Sequence, residues 1–323
     1  MKNVWKIVVI GIILGIALMI VGFITGARSG VSFGRGGVNL GEFPLRGMFS
    51  NVIGMGHNFH GDMEYLSLQE SGERSAISLS DDITMININV ASANIEFVTS
   101  NEYRAEIINR NNRAPILYAI ENGVLTITQD TSVRRWLSFG FNAPSSITIF
   151  LPNEIDIESA NLRTVSGRIN IGSIVCRSGL IAGTVSGSIT INNSSADFMN
   201  ISAVSGNVRI NNSTAHYMHI SVVSGNIRAD DIRTEGFTSD SISGSVTVSG
   251  ELMGQTKIDT TSGSVRLTLQ TMGERFQRDL SVLSGNINVN GERIRGRSFN
   301  DTERSENRVI VSTLSGNIHL DLE

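Results

Sequence analysis

One five-residue phrase returns eight times in this chain, and its spacing limits the fold more than any other feature. It reads Val165-Ser166-Gly167-Arg168-Ile169, then Val185-Ser186-Gly187-Ser188-Ile189, then Val204-Ser205-Gly206-Asn207-Val208. Val223-Ser224-Gly225-Asn226-Ile227, Ile242-Ser243-Gly244-Ser245-Val246 and Thr261-Ser262-Gly263-Ser264-Val265 continue it. Leu283-Ser284-Gly285-Asn286-Ile287 and Leu314-Ser315-Gly316-Asn317-Ile318 complete the set. The steps between successive serines are 20, 19, 19, 19, 19, 22 and 31 residues. A fixed period near 20 residues is the mark of a stacked repeat architecture.

The phrase also says what is stacked. With its serine as position zero, positions −1, +3 and +5 are apolar in nearly every copy, as in Val204, Val208 and Ile210. Position +4 is polar in all eight: Asn170, Thr190, Arg209, Arg228, Thr247, Arg266, Asn288 and His319. Period-two alternation is a strand signature. Nineteen residues at ~3.3 Å each make a contour of about 60 Å, enough for one flattened coil of two or three short strands. Coils stacked ~4.8 Å apart place each repeat position above its counterpart. The expected fold is therefore all-β, a parallel β-solenoid of about 19-residue coils. A right-handed β-helix is expected, because parallel crossovers prefer that hand. Positions −1, +3 and +5 are expected to line the core, with a Ser/Asn ladder at the corner. Gly167, Gly187, Gly206, Gly225, Gly244, Gly263, Gly285 and Gly316 are read as structural turns that need a backbone only glycine adopts easily. A stack of antiparallel hairpins is the rival, since Ser-Gly also turns a hairpin, but hairpins require no constant period.

Composition agrees with many short strands. Gly numbers 33 and Pro 4, and aromatics make up 6% of 323 residues. The net charge of −4 gives no global basic field, so nucleic acid is not an expected partner. A single cysteine, Cys176, excludes an intrachain disulfide, and its apolar setting (Ile174-Val175-Cys176) reads as a small buried residue.

The N-terminal part is different. Residues 7–24 carry no charge, with Lys2 and Lys6 before them and Arg28 after. Eighteen such residues span a bilayer, and a cleaved signal has a shorter apolar core. Residues 1–27 are therefore expected to be a retained, single-pass transmembrane anchor. Cleavage after Thr25-Gly26-Ala27 is the alternative. The flanking charges favour a cytoplasmic N-terminus and an extracytoplasmic remainder. Residues 28–64, rich in glycine, read as a juxtamembrane linker. His57 and His60 within it lack a third metal ligand.

Residues 65–160 read as strands without the strict period, an irregular N-terminal β region that caps the stack. Candidate strands fall at 83–90, 95–98, 104–109, 117–120, 124–128 and 146–151. Ser92-Ala93-Asn94-Ile95 looks like a degenerate copy of the phrase, and Asn122-Gly123 signals a hairpin. The aromatic stretch from Arg134 through Trp136 to Phe141 suits a loop folded over the core, with a membrane or partner surface as the other reading. Residues 161–323 form the repeat domain, with a charged insertion at 291–308 that reads as a solvated excursion able to pair on itself or to fold back as a C-terminal cover.

Chemistry and binding place different demands on the surface residues. Asp230-Asp231, with Asp240 and Asp259 at position −3 of successive coils, are the carboxylates an acidic active site would use. Asp230-Asp231 fills the slot held by Asn192-Asn193 and Asn211-Asn212, which a polar corner explains. His216 and His219 would straddle a strand and are read as lacking an acidic or Cys partner nearby. No Ser/His/Asp arrangement, phosphate loop or dinucleotide fingerprint is present, so no catalytic residue, cofactor or metal is assigned. The row Arg209, Arg228, Arg266 is the better clue. Stacked guanidiniums suit an anionic polymer, because guanidinium binds phosphate in a bidentate way.

An N-terminal anchor, an irregular β region ending in Ile149-Phe150-Leu151-Pro152, and repeated Val-Ser-Gly-Asn-Ile coils together resemble the bacterial putative-adhesin domains of unknown function. The similarity covers roughly residues 80–323. It implies a β-helix tethered to the membrane and exposed in the bacterial cell envelope, and it carries over no catalytic residues. The expected function is a non-catalytic binding, adhesin-like or scaffold module, with an anionic cell-wall polymer or an envelope protein as partner. The alternatives are a regulator or spacer working through a membrane protein and, further off, a carbohydrate-active β-helix enzyme.

Overall fold

Alternating apolar and polar residues form strands, and the described residues of the computed structural model are all-β. They are 32–34, 37–39, 74–110, 114–129, 144–152, 157–271, 273–301 and 305–323. The expected anchor at 7–24, the His57/His60 pair and the Trp136 stretch lie outside them. The chain divides into two units, Met1–Asn58 and Phe59–Glu323. In the first, Ser32–Gly34 pairs antiparallel with Gly37–Asn39.

Each coil contributes one long and one short strand, separated by the Ser-Gly corner. The long strands Ile157–Ser166, Cys176–Ser186, Ser195–Ser205 and Thr214–Ser224 pair in parallel, one coil to the next. The later parts of Ile227–Ser243 and Val246–Ser262 extend the ladder. The short strands Ile169–Ile171, Ile189–Asn192 and Val208–Asn211 pair likewise and run on through Ile227–Ser243, Val246–Ser262 and Val265–Leu269. Register follows the repeat, so Ser205 faces Ser224 and Arg209 faces Arg228. The rival stack of antiparallel hairpins is thereby excluded for these coils.

The corner explains the phrase. A Cβ on Gly206 would stand 1.7 Å from the Gly187 carbonyl oxygen, and one on Gly225 would stand 2.0 Å from that of Gly206. The φ values there, +157° and +149°, belong to the region glycine alone adopts readily. The stacking distance, then, leaves room for a hydrogen and nothing larger at +1. Beside it, the Asn207 side-chain carbonyl accepts the Asn226 N–H at 2.9 Å, and Asn226 accepts that of Ser245 at 2.9 Å. At the opposite corner Asn193, Asn212 and Asp231 hold φ of 46°, 45° and 52°, a conformation Asn and Asp tolerate best among residues with a Cβ. Asn211 and Asn212 donate to the amides of Asn192 and Asn193 at 2.7 Å.

One expectation needs correction. Positions +3 and +5 are buried, as in Val208 and Ile210, but position −1 is not. Val165, Val185, Val204 and Val223 are half-buried, and Leu283 is 52% exposed. The core row is −2: Thr164, Thr184, Ala203, Val222, Ser241, Thr260 and Thr313. Strand parity does not carry across the corner, which inserts an odd residue between the inward positions of the two strands. The −2 row was masked because hydroxyl residues can occupy it: Thr164 donates to the Ala93 carbonyl and Thr184 to that of Gly167. The aliphatic −1 row forms an outward stripe instead.

Both ends depart from simple stacking, in mirrored ways. At the N-terminal end Met85–Val90 and Ala93–Thr99 form the coil that pairs with Ile157–Ser166 and Ile169–Ile171. The chain then leaves, and Val124–Gln129 with Ser145–Leu151 settle in parallel on the far side of that coil. Antiparallel strands finish the edge: Ile116–Glu121 on Val124–Gln129, Arg104–Ile108 on Ser145–Leu151, and Arg74–Ser78 outermost. The hairpin turn holds Asn122 and Gly123 at φ of 50° and 76°. Ala93 takes the corner place of the glycine, the degenerate copy expected there.

At the C-terminal end Phe276–Ser284 and Ile287–Val289 lie outermost, and Asn307–Ser315 with Ile318–Leu322 are inserted beneath them. The inserted strands pair on one side with Val246–Ser262 and Val265–Leu269, and on the other with the outer coil. The charged insertion pairs onto that outer coil rather than onto itself. Glu292–Ile294 lies antiparallel on Ile287–Val289, and Ser298–Asn300 on 279–281. Arg278 fastens it with three bonds to the Asp301 carboxylate, two from its guanidinium at 2.7 and 3.1 Å and one from its backbone N–H at 3.0 Å. Burial works to raise the Asp301 pKa, but those bonds outweigh it and leave the group below the usual carboxylate range.

Candidate functional site

Because register follows the repeat, any residue on an outward row has its counterpart from the next coil beside it. On the short-strand face the +4 row runs Thr190, Arg209, Arg228, Thr247, Arg266, His319. The three predicted arginines are thus brought into one line, all exposed. At ~4.8 Å per coil, Arg209 and Arg266 stand about 14 Å apart at the backbone. Arg228 Nε donates to Asp230 Oδ2 at 2.5 Å, so this arginine is partly neutralised. Among the described residues neither Arg209 nor Arg266 has a carboxylate within 4.0 Å. Asn207 and Asn211 flank Arg209 on its own strand face; Ser264 and Thr268 flank Arg266. The face therefore offers fork-shaped cationic donors set among neutral amides and hydroxyls. That arrangement suits an extended anion with several negative groups better than a single small one.

Asp230 and Asp231, considered above as catalytic candidates, are accounted for structurally: one holds Arg228 and the other turns the corner at positive φ. The eight phrase glycines line the edge between the two faces. For Gly167, Gly187, Gly206, Gly225, Gly244, Gly263, Gly285 and Gly316 alike, an added Cβ would meet a backbone carbonyl oxygen at 1.7–2.0 Å.

The long-strand face carries the other titratable cluster. Asp240 and Asp259 stand in register. His219 Nδ1 is 4.0 Å from Asp240 Oδ2, and Lys257 bonds Asp259 at 2.8 Å. Burial lowers the His219 pKa, with the Asp240 charge opposing it. Burial raises that of Asp240, with His219 opposing. The hydrogen bond to Asp259 raises that of Lys257. His216 is paired too, its Nδ1 3.0 Å from Glu235 Oε2. The histidines therefore do have acidic partners, contrary to the sequence reading, because those partners come from the next coil. Adding the period finds one of them: 216 plus 19 is 235. Cys176 is 2% exposed, and burial pushes its thiol up to about 12, which leaves it inert.

Among the described residues no group of three or more His, Cys, Asp or Glu side chains is placed to hold a metal ion. A family model described as Toastrack DUF4097 matches residues 83–321. No curated protein matches the chain. Solved structures similar to it include a putative adhesin from Bacteroides fragilis, 15% identical with a TM-score of 0.44, covering 78% of this chain and 96% of that one. A putative adhesin from Parabacteroides merdae is 12% identical with a TM-score of 0.40, covering 78% and 95%. A putative lipid binding protein from Parabacteroides distasonis is 15% identical with a TM-score of 0.36, covering 77% and 96%.

Proposed function

We propose a function from one premise: this chain belongs to the Toastrack DUF4097 family. It is a non-catalytic binding module of the bacterial cell envelope, built as a right-handed parallel β-solenoid. Residues 1–27 anchor it in the membrane, 28–64 space it from the surface, 65–160 cap the stack, and 161–323 present the binding face outside the cell. Its partner is an anionic envelope polymer, gripped along Arg209, Arg228 and Arg266.

The observation that carries this reading is the exposed +4 row, in which two arginines lack any carboxylate partner among the described residues. Arg209 and Arg266, three coils apart, leave two cationic donors that a bound polymer with spaced anionic groups can engage together. Phosphate groups spaced along a polymer match the guanidinium geometry. A non-catalytic role is supported by the structural employment of Asp230 and Asp231.

The test is co-sedimentation of the full-length protein, held in mild detergent, with isolated cell-wall material across a salt series. The variant Arg209→Glu/Arg228→Glu/Arg266→Glu runs beside it. Binding that weakens with salt and is lost in the triple variant is expected, since exposed charge pairs are screened. Equal sedimentation of both proteins would remove the arginine row from the function and direct the search to a membrane-protein partner.

A further inference from the structure

We propose that the long-strand face holds a second site, a platform for a neutral saccharide chain centred on Tyr217 and independent of the arginine row. The starting point is a pair of glycines that the backbone does not need. Row −7 runs Gly179, Phe198, Tyr217, Gly236 across four successive coils. Neither glycine has a positive φ in the glycine-favouring range. At Gly236 the atoms nearest an added Cβ belong to the Tyr217 ring, with Cδ1 at 2.5 Å and Cε1 at 2.8 Å. Gly236 is thus the seat on which that ring leans. At Gly179 an added Cβ would meet nothing closer than the Phe198 carbonyl oxygen at 3.7 Å, so the flank of Phe198 is open. Two aromatic residues occupy neighbouring coils in register, flanked by a glycine on either side.

The rings are held as a surface rather than buried as core. Tyr217 is 53% exposed and Phe198 38%. His216 meets Tyr217 edge-on, with centroids 4.3 Å apart and planes at 83°, and is itself fixed by Glu235. A side chain braced on two sides loses little freedom when a ligand stacks on it.

The neighbouring row supplies hydrogen bonds of the right kind. Two residues along the strands, at about 7 Å, stand Asn200, His219 and Thr238 in register. Asp240 follows two residues further, at about 13 Å. An amide, an imidazole, a hydroxyl and a carboxylate can each serve sugar hydroxyls, which both donate and accept. A pyranose has an apolar C–H face to lay on Tyr217 and a rim of hydroxyls to reach this row, and a second ring brings the chain to Asp240. An anionic ligand is disfavoured here: Asp240 and Asp259 face it, and Lys257 is already bonded to Asp259. A peptide strand is disfavoured as well, because this is the face of the ladder and not an edge with free backbone groups.

The experiment is titration of full-length protein with cellotetraose, maltotetraose and chitotetraose by calorimetry and ligand-observed NMR. At least one tetrasaccharide is expected to bind wild type, with affinity falling at least about ten-fold in Tyr217→Ala. Gly236→Ala, which unseats the ring without removing it, is expected to weaken binding too. Tyr217→Phe retains it, and so does the triple arginine variant, which separates this site from the anionic one. Circular dichroism confirms folding of each variant. Absence of binding by all three sugars, or undiminished binding by Tyr217→Ala, overturns the proposal.

Discussion

The central coils and the two ends solve the same problem differently. From Cys176 to Leu269 each coil rests on the one before it in sequence, and a single rule, add 19, yields nearly every neighbour. At the ends the order is exchanged. The coil at 85–99 lies between two that follow it in the chain, and the segment 307–322 lies beneath one that precedes it. The exchange places antiparallel strands at both extremities, where a plain stack would present an unpaired parallel edge. Regularity thus builds the faces, and broken regularity protects them.

The largest effect expected from disturbing this contrast comes from removing the inserted segment. A chain truncated after residue 290 should lose amide-exchange protection across 246–289, which then has neither its inner neighbour nor its fastened cover. Protection at 176–224 should persist, because repeat arrays couple chiefly through nearest neighbours. Uniform loss of protection would show instead that ends and centre unfold as one unit.

The corner glycines come next. Gly206→Ala drives a Cβ into a backbone carbonyl, and a cost of at least about 3 kcal/mol is expected in denaturant unfolding. Gly273→Ala, where nothing lies within 4 Å but φ is +84°, should cost roughly 1 kcal/mol. Comparing Ile220→Ala with Val204→Ala tests the outward assignment of the −1 row against a residue of the core. The first removes a fully buried side chain and should cost about 2–5 kcal/mol; the second, on the outward stripe, should cost on the order of 1 kcal/mol or less.

Two smaller effects concern the join between the regular run and the C-terminal end. Among the described residues the hydroxyls of Ser239, Ser241, Thr256 and Thr260 are buried without a partner. Thr256→Val should therefore stabilise the fold, by up to about 1 kcal/mol. Asp240 has a raised pKa in the folded state, so folding takes up a proton in the window between its ordinary value near 3.8 and the raised one. Wild type accordingly loses stability as pH rises through that window. Asp240→Asn, which carries no such charge, should melt higher at neutral pH, and its advantage should shrink as pH falls back towards 4.

How much of this was legible follows from the period. Coil length, parallel stacking, the corner glycines and the alignment of Arg209, Arg228 and Arg266 all derive from a constant 19-residue step, which acts as a contact map. The Asn122-Gly123 hairpin was legible from local turn chemistry. Three things were not. The −2 core row was hidden because Thr and Ser occupy it alongside Ala and Val, bonding to corner carbonyls where they can. The acidic partners of His216 and His219 were hidden because they are remote in sequence, though the period brings Glu235 and the coil of Asp240 beside them. The exchanged ends were hidden because steps of 22 and 31 residues show that the rhythm fails without showing in which order the coils then lie. The Tyr217 platform needed the stack as well, since a ring and the glycine that seats it are 19 residues apart.

The inserted segment also sets a timetable. A chain emerges from the ribosome or a translocation channel amino end first, so 276–289 arrives before the strands that must lie beneath it. Until residues 307–322 follow, the slot next to 246–269 stands open, with unpaired backbone on the last regular coil. The outer coil must either wait or form elsewhere and be displaced. Closure brings together residues some 50 positions apart, such as Gly263 and Ser315, and contacts of that separation form slowly. Ile318–Leu322 is thus a latch that shuts only after the coil it underlies has already emerged.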